Sequence, residues 1–79
     1  MTWNESDGAL YAELAFADFA EAFAFMTRVG MVAQEQMHHP DMAISWNKVT
    51  ITITTHDAGN TLTDADRKLA ATIDGLGAA

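Results

Sequence analysis

The clearest pattern in the chain is a strict alternation of branched apolar residues with threonine over residues 49–54 (VTITIT). A period of two predicts a β-strand that buries one face, here the face formed by Val49, Ile51 and Ile53. A second apolar run, residues 42–46 (MAISW), precedes this strand, and only Asn47 and Lys48 separate the two. The two runs therefore predict a β-hairpin that covers one side of a core.

A shorter strand is predicted over residues 10–16 (LYAELAF), where every second residue from Leu10 is apolar. From residue 17 to about residue 37 the apolar spacing becomes helical and forms two stripes. One stripe consists of Phe19, Phe23, Met26, Gly30, Ala33 and Met37, and the other of Phe25, Val29 and Val32. Because the surface helix of a monomer needs one apolar stripe, we expect one stripe to pack on the chain's own sheet and the other on a second protomer. The predicted homodimer or homotetramer would form through the Phe25 stripe, through sheet edges, or through both. A helix sunk deep in one core is the alternative.

Pro40 ends the helical region, because the residue before a proline is driven towards extended backbone. A last helix is predicted from residue 63 to about residue 76, with Thr63 as N-cap and Asp66 three residues later, as in a capping box. The order is strand, long helix, hairpin, helix. It predicts one α+β domain over residues 1–79, with an antiparallel sheet and its helices on one face.

The chain is acidic and lacks cysteine. Its 4 Lys and Arg residues stand against 11 Asp and Glu residues, and the net charge of −7 argues against nucleic-acid binding. Without cysteine there is no disulfide, thiolate metal site or thiol nucleophile. No apolar stretch approaches the roughly 20 residues of a membrane span, and no secretory leader is visible, so we expect a cytoplasmic protein. A domain of 79 residues also favours stabilisation by oligomerisation.

Three histidines are the candidate chemical groups. His38 and His39 follow the long helix, and His56 follows the best strand, on the side of the threonines if the period of two continues. An unperturbed imidazole titrates near neutral pH, so it can both give and take protons. Three unrelated surface histidines are the simpler alternative.

The residue order resembles the signature of the pterin-4a-carbinolamine dehydratases. The resembling positions are, in order, Gln34, His38, His39, Pro40, Trp46, His56 and Asp66. Residues 23–29 (FAFMTRV), 46–49 (WNKV), 55–57 (THD) and 62–66 (LTDAD) also look like that family, so that the resemblance runs from about residue 3 to residue 76.

The resemblance implies a four-stranded antiparallel sheet, one strand of it short or irregular, in dimers or in tetramers made of dimers. It implies dehydration of 4a-hydroxytetrahydropterin to quinonoid dihydropterin, which recycles the cofactor of aromatic amino acid hydroxylases. The pterin is then the substrate, and neither a cofactor nor a metal is needed. Some animal members also act as a dimerisation cofactor for a homeodomain transcription factor.

The resemblance also implies roles for single residues. His38, His39 and His56 would surround the pterin, with His38 and His56 as acid–base groups and His39 as a substrate contact. Further substrate-binding positions are Gln34, Pro40, Trp46 and Asp66. Three of these have structural alternatives: Trp46 as a core residue, Asp66 as a helix cap and Pro40 as a helix stop.

The chain departs from the family pattern at Gln34, where members usually have glutamate. One helical turn before His38, Gln34 is expected to lie beside that ring and can hydrogen-bond to it, but it supplies no negative charge. Glu35 lies about 100° further round the helix and is no substitute. Many members also have a further helix before the position of Trp3, so we expect a less covered site or core.

Two other functions remain open at this point. The histidines and an acid could form a zinc or other divalent metal site, although adjacent side chains such as His38 and His39 diverge. Alternatively, the loss of the glutamate leaves a non-catalytic module that binds a pterin or another protein.

Overall fold

Four strands and two helices make up the described part of the chain. In the computed structural model, which describes residues 1–77, the strands are β1 (Asn4–Ser6), β2 (Ala9–Ala15), β3 (Asp41–Ser45) and β4 (Lys48–Ile53). The helices are α1 (Phe19–Gln36), between β2 and β3, and α2 (Asp64–Asp74), after β4. The sheet is antiparallel with the order β1-β2-β4-β3. The predicted α+β class is confirmed, and β1 is its short strand.

The predicted hairpin forms between β3 and β4. Ser45 pairs with Lys48, so that Trp46 and Asn47 alone make the turn. The first strand of the hairpin ends one residue earlier than predicted, because Trp46 has a φ of 52°, in the left-handed region. The turn between β1 and β2 is equally short, and its Gly8 is required: a Cβ there would come within 2.3 Å of the Asn60 carbonyl oxygen.

One face of the sheet carries the core, as the alternation predicts. Val49, Ile51 and Ile53 of β4 are buried together with Leu10 of β2. The threonines between them on β4 lie on the opposite face, which the helices leave open. Helix α2 adds Leu69, Ala70 and Ile73 to the same core. It ends at Asp74, two residues before the predicted end.

The two stripes of α1 are assigned in the opposite way to the sequence-based expectation. Phe25 and Val29 are fully buried against the chain's own sheet, so the prediction that their stripe contacts a second protomer is wrong. Small Ala22 and Ala33 share this buried face, which lets the helix backbone approach the sheet closely. On the other stripe Phe23 is 54% exposed, and its ring stacks on the neighbouring ring of Phe19 at a centroid distance of 5.8 Å.

Within residues 1–77, neither helix has the length and apolar character that crossing a membrane requires.

Two phenylalanines of α1 provide a test of this assignment. Replacing Phe25, which is 0% exposed, by alanine should lower the free energy of unfolding by about 3–5 kcal/mol, because it leaves a cavity in the core. The matched change Phe23→Ala should cost about 1 kcal/mol or less, since it removes only an exposed ring pair. Urea unfolding followed by circular dichroism measures both. Equal losses for the two variants would contradict the assignment.

Candidate active site

The end of α1 determines where the histidine pair lies. Met37 adopts a left-handed conformation with φ 52° and ψ 40°, and its N–H donates to the carbonyl oxygens of Ala33 and Gln34. The N–H of His38 also donates to the Ala33 carbonyl, at 3.1 Å. Such a left-handed cap turns the chain sharply away from the helix axis. His38 and His39 therefore leave the helix at one end of the sheet, just before β3.

The third histidine reaches the same end of the sheet from β4. Regular pairing of β4 ends at Ile53, and His56 begins a short 3-10 turn, His56–Ala58. The predicted period of two therefore stops before His56, because the chain is no longer extended there. A bridge between Thr55 and Thr61 closes this loop and holds it against the N-terminal side of α2.

One cavity is lined by all three histidines. Its volume is about 190 Å³, and its remaining lining residues are Met37, Thr54, Thr55 and Asp57. The elements that meet here are the loop after α1 and the segment after β4, which are distant in sequence. The structure thus brings together the three imidazoles that the sequence singled out; their individual roles stay predictions.

Asp66 contacts two residues of the cavity lining, His38 and Thr55, but is itself buried. Its side chain is 0% exposed in the single chain, and its predicted contact with the substrate stays a prediction. Its Oδ2 accepts the N–H of Thr63 at 2.8 Å and the hydroxyl of Thr55 at 2.7 Å. Its Oδ1 lies 2.6 Å from Nε2 of His38. Asp66 is both a helix cap, as the sequence suggested, and the partner that positions His38.

Hydrogen bonding decides the charge of Asp66. Burial by itself raises the pKa of this carboxyl group, but the hydrogen bonds from His38, Thr55 and the Thr63 backbone outweigh burial, and the net pKa is lowered. Asp66 is therefore ionised near neutral pH and can only accept hydrogen bonds. It follows that His38 donates its Nε2–H and has only Nδ1 left for other chemistry.

The other two histidines are held in the same manner. Nε2 of His39 donates to the side-chain oxygen of Gln34 at 2.9 Å, and Nδ1 of His56 donates to the side-chain oxygen of Asn60 at 2.7 Å. Each of the three rings therefore has one nitrogen bound to an oxygen and one nitrogen free. Only the acceptor of His38 carries a charge.

Gln34 contacts a different histidine from the one expected. The i, i+4 spacing predicted contact with His38, whereas the structure pairs Gln34 with His39. The helical spacing does not extend that far, because α1 ends at Gln36 and Met37 is left-handed. The amide of Gln34 is further fixed by a contact of its nitrogen with the Met37 sulfur, at 3.7 Å.

Trp46 and Pro40 are not part of the cavity lining. Trp46 is 66% exposed and lies in the β3–β4 turn, at the end of β3 away from the histidines. The five residues of β3 separate it from Pro40, a distance of roughly 20 Å. Trp46 is thus not a core residue of the single chain, and its predicted contact with the substrate stays a prediction. Pro40 is half-buried and directs the chain from His39 into β3.

Thr55 is the site residue that the sequence did not reveal. Its hydroxyl donates to Asp66 and lies 2.8 Å from the hydroxyl of Thr63. The period of two predicted a polar face of Thr50, Thr52 and Thr54, and Thr55 entered only as part of the 55–57 run that resembles the family, without a role of its own. Among residues 1–77, no group of three or more His, Asp or Glu side chains is arranged to hold a metal ion.

The chain is thus an α+β domain with a candidate acid–base site. Its single sheet has helices on one face, and three anchored imidazoles lie at one end of that sheet.

The family model for Pterin 4 alpha carbinolamine dehydratase matches residues 1–76. A relative from Burkholderia pseudomallei (strain 1710b) is 54% identical over 77 residues, which are 95% of this chain and 75% of the relative. One from Synechococcus sp. (strain WH7803) is 47% identical over 74 residues, 94% of this chain and 78% of the relative. Both bear pterin-4-alpha-carbinolamine dehydratase as a provisional name.

Solved structures agree with the sequence comparison. A transcriptional coactivator/pterin dehydratase from Brucella melitensis superimposes with a TM-score of 0.87 at 32% identity, covering 98% of this chain and 82% of that one. A pterin dehydratase-like protein described as a RuBisCO assembly factor of the alpha-carboxysome gives 0.76 at 24% identity, covering 99% and 90%. The second likeness concerns the fold alone. The chain belongs to the pterin-4a-carbinolamine dehydratase family.

The ionised state of Asp66 predicts a pH dependence of stability. Its pKa is lower in the folded chain than the value of about 3.9 expected after unfolding, so its contribution is present above that value and is lost as the pH falls through the folded pKa. Asp66→Asn should flatten the acid side of the stability curve and cost about 1–3 kcal/mol at pH 7. Urea unfolding between pH 3 and 7 measures this. The exposed Asp64→Asn, in the same helix turn, is the control, and an identical curve for both variants would refute the assignment.

Gln34→Glu tests the contact with His39. The new carboxylate would place a negative charge next to the ring nitrogen of His39. This histidine should therefore stay protonated to higher pH than in the unmodified chain. Histidine ring signals in an NMR titration report each residue separately. Glu35→Gln, on the neighbouring helix position, serves as the control for a general charge effect. A response of His38 and not of His39 would contradict the observed pairing.

Proposed function

We propose that this chain dehydrates 4a-hydroxytetrahydropterin to quinonoid dihydropterin by histidine acid–base catalysis. The observation that carries the proposal is the convergence of His38, His39 and His56 on one cavity. Membership of the dehydratase family supplies the substrate class. The product would regenerate the cofactor of an aromatic amino acid hydroxylase, which we propose as the functional partner, in the cytoplasm.

The reaction needs two proton transfers. The bond between carbon 4a and its hydroxyl oxygen breaks with both electrons on oxygen, and a proton must reach that oxygen so that water leaves. A ring nitrogen loses its proton as the new double bond forms. Each well-placed transfer contributes about 10²–10⁴-fold to the rate. Imidazoles suit both steps at neutral pH.

His38 is suited to deliver the proton to the leaving hydroxyl. Its Nε2 is bound to the Asp66 carboxylate, so the mobile proton is the one on Nδ1. A positive charge on this ring is compensated by a buried negative charge 2.6 Å away, which no other histidine of the site has. The pair thus resembles the general arrangement in which a carboxylate orients a catalytic imidazole.

His56 is suited to accept the proton from the ring nitrogen. Its Nδ1–H is donated to Asn60, which leaves Nε2 with a free lone pair. His39, held by the neutral Gln34, acts as the substrate contact. None of these steps uses a metal or a cofactor, because the pterin itself is the substrate.

A non-catalytic module is the second candidate, and Gln34 is the observation that favours it. With an amide in place of the family's usual carboxylate, only one of the three histidines, His38, has an anionic partner. The fold also occurs in a protein described as an assembly factor. In that case the cavity would bind a pterin, or the domain another protein, without turnover.

Stopped-flow decay of a generated 4a-carbinolamine tests the proposal. The chain should accelerate the decay without added metal, and His38→Ala should reduce the acceleration about 10²–10⁴-fold. Glu13→Gln, on the open face of the sheet, is the control and should leave the rate unchanged. Acceleration that requires a divalent metal would contradict the mechanism, and no acceleration at all would favour the non-catalytic module.

A further inference from the structure

Met37 joins the long helix to the histidine pair, and its backbone takes a conformation that methionine rarely adopts. Its φ of 52° lies in the left-handed region, and a left-handed position at a helix end normally carries glycine or asparagine. Residues held in such conformations cost free energy and cluster at functional sites. The side chain is 71% exposed, so packing within the described part of the chain does not offset this cost. The core therefore does not explain a methionine at this position.

Met37 gives the histidine cavity its one large apolar side chain. The six other lining residues are all polar, namely the three histidines, Thr54, Thr55 and Asp57. Ligand pockets are usually lined mostly by apolar and aromatic side chains, with a small number of polar groups. The apolar contact that this cavity offers to a ligand therefore comes mainly from the thioether of Met37.

The sulfur of Met37 is also linked to one of the imidazoles. Nε2 of Gln34 donates to this sulfur at 3.7 Å, and Oε1 of the same amide accepts from His39 at 2.9 Å. Both contacts belong to one planar amide group, and hydrogen bonds in a chain polarise one another. A change in how strongly the sulfur position accepts a hydrogen bond is thus transmitted to the ring of His39.

The other four methionines lack this combination of exposure and position. Met26 and Met42 are half-buried and pack against the core. Met31 is 65% exposed and lies on α1, three residues before Gln34, but it does not line the cavity, and neither does Met1. Met31 is therefore a matched control, with the same chemistry and similar exposure but no place at the site.

We propose that Met37 is a modification site, where a peroxide oxidises the sulfur to a sulfoxide and thereby changes what the cavity binds. A sulfur lone pair attacks one oxygen of hydrogen peroxide, the O–O bond breaks, and the second oxygen leaves as water with both protons. The sulfur loses two electrons, and the peroxide gains them. Methionine sulfoxide reductases reverse the step with two thiols, which become a disulfide, and the oxygen leaves as water.

The oxidation replaces an apolar group by a polar S=O group. Thioether sulfur is a weak acceptor, whereas the sulfoxide oxygen is a strong one for the Nε2–H of Gln34, so Gln34 and the ring of His39 should shift together. The same oxygen adds polar surface to the apolar wall of the cavity, and a flat ring packed on the thioether loses part of its apolar contact. That this ring is a pterin rests on the proposed function; the oxidation and its effect on His39 do not.

Mass spectrometry of peptides tests the site itself. On titration with hydrogen peroxide, Met31 and Met37 should be oxidised before the half-buried Met26 and Met42, because the peroxide reaches exposed sulfur first. Methionine sulfoxide reductases should then restore both residues. Oxidation of Met37 no faster than that of Met26 would overturn the proposal.

NMR tests whether the modification reaches the cavity, with no ligand present. In a Met31→Leu chain, peroxide should shift the ring signals of His39 and the side-chain amide signals of Gln34, and the reductases should return them. The same treatment should leave both sets of signals in place in the matched Met37→Leu chain. In the unmodified chain the shifts should follow the oxidised fraction of Met37 and not that of Met31, which decides the matter even if a variant fails to fold. Equal shifts in the two variants would overturn the coupling.

Calorimetry with a dihydropterin, after the peroxide is removed, tests the consequence for binding. Peroxide treatment should weaken binding about tenfold in the Met31→Leu chain, because part of one methionine's apolar contact is lost, and should not change it in the Met37→Leu chain. Unchanged binding by a chain with fully oxidised Met37 would overturn the proposal. An untreated chain that binds no dihydropterin would instead refute the proposed function, and mass spectrometry and NMR would still decide the oxidation.

Discussion

The structure depends on one buried carboxylate. Asp66 caps α2 through the Thr63 N–H, fixes the segment after β4 through the Thr55 hydroxyl, and holds His38 of the loop after α1. A buried charge is very costly unless it is hydrogen-bonded, so each of these three segments must arrive in one place for Asp66 to be tolerated. The same requirement brings the imidazole of His38 to the end of the sheet with a defined free nitrogen.

Around this anchor, the site is assembled from segments that are not regular structure. The sheet and α1 form the rigid core, but the three histidines sit on the chain just beyond a helix end and a strand end. Each ring is held by one oxygen and presents one nitrogen, so the arrangement is defined for proton transfer before any ligand arrives. Because Gln34 is neutral, Asp66 is the one charged group among the three side chains that hold the histidine rings.

The sequence predicted what depends on local period and spacing. The alternation around Ile51, the helical spacing of α1 and the capping box of Thr63 and Asp66 each correspond to an observed element. Period alone could not decide which stripe of α1 faces the sheet, because it gives angles around a helix and not the rotation of the helix against its neighbours. Helical spacing also gave the wrong partner beyond the end of α1. Because Met37 is left-handed, Gln34 contacts His39 and not His38. Trp46 was assigned to the site from resemblance, and within one chain it lies at the far end of β3.

A crystal structure with a bound dihydropterin would show whether the three imidazoles form one pterin site anchored by Asp66. We expect electron density for the bicyclic ring in the cavity between the His38–His39 pair and His56, with the free ring nitrogens of His38 and His56 directed at it. Density for the pterin on another surface of the molecule, with this cavity left empty, would refute the shared site of the three histidines.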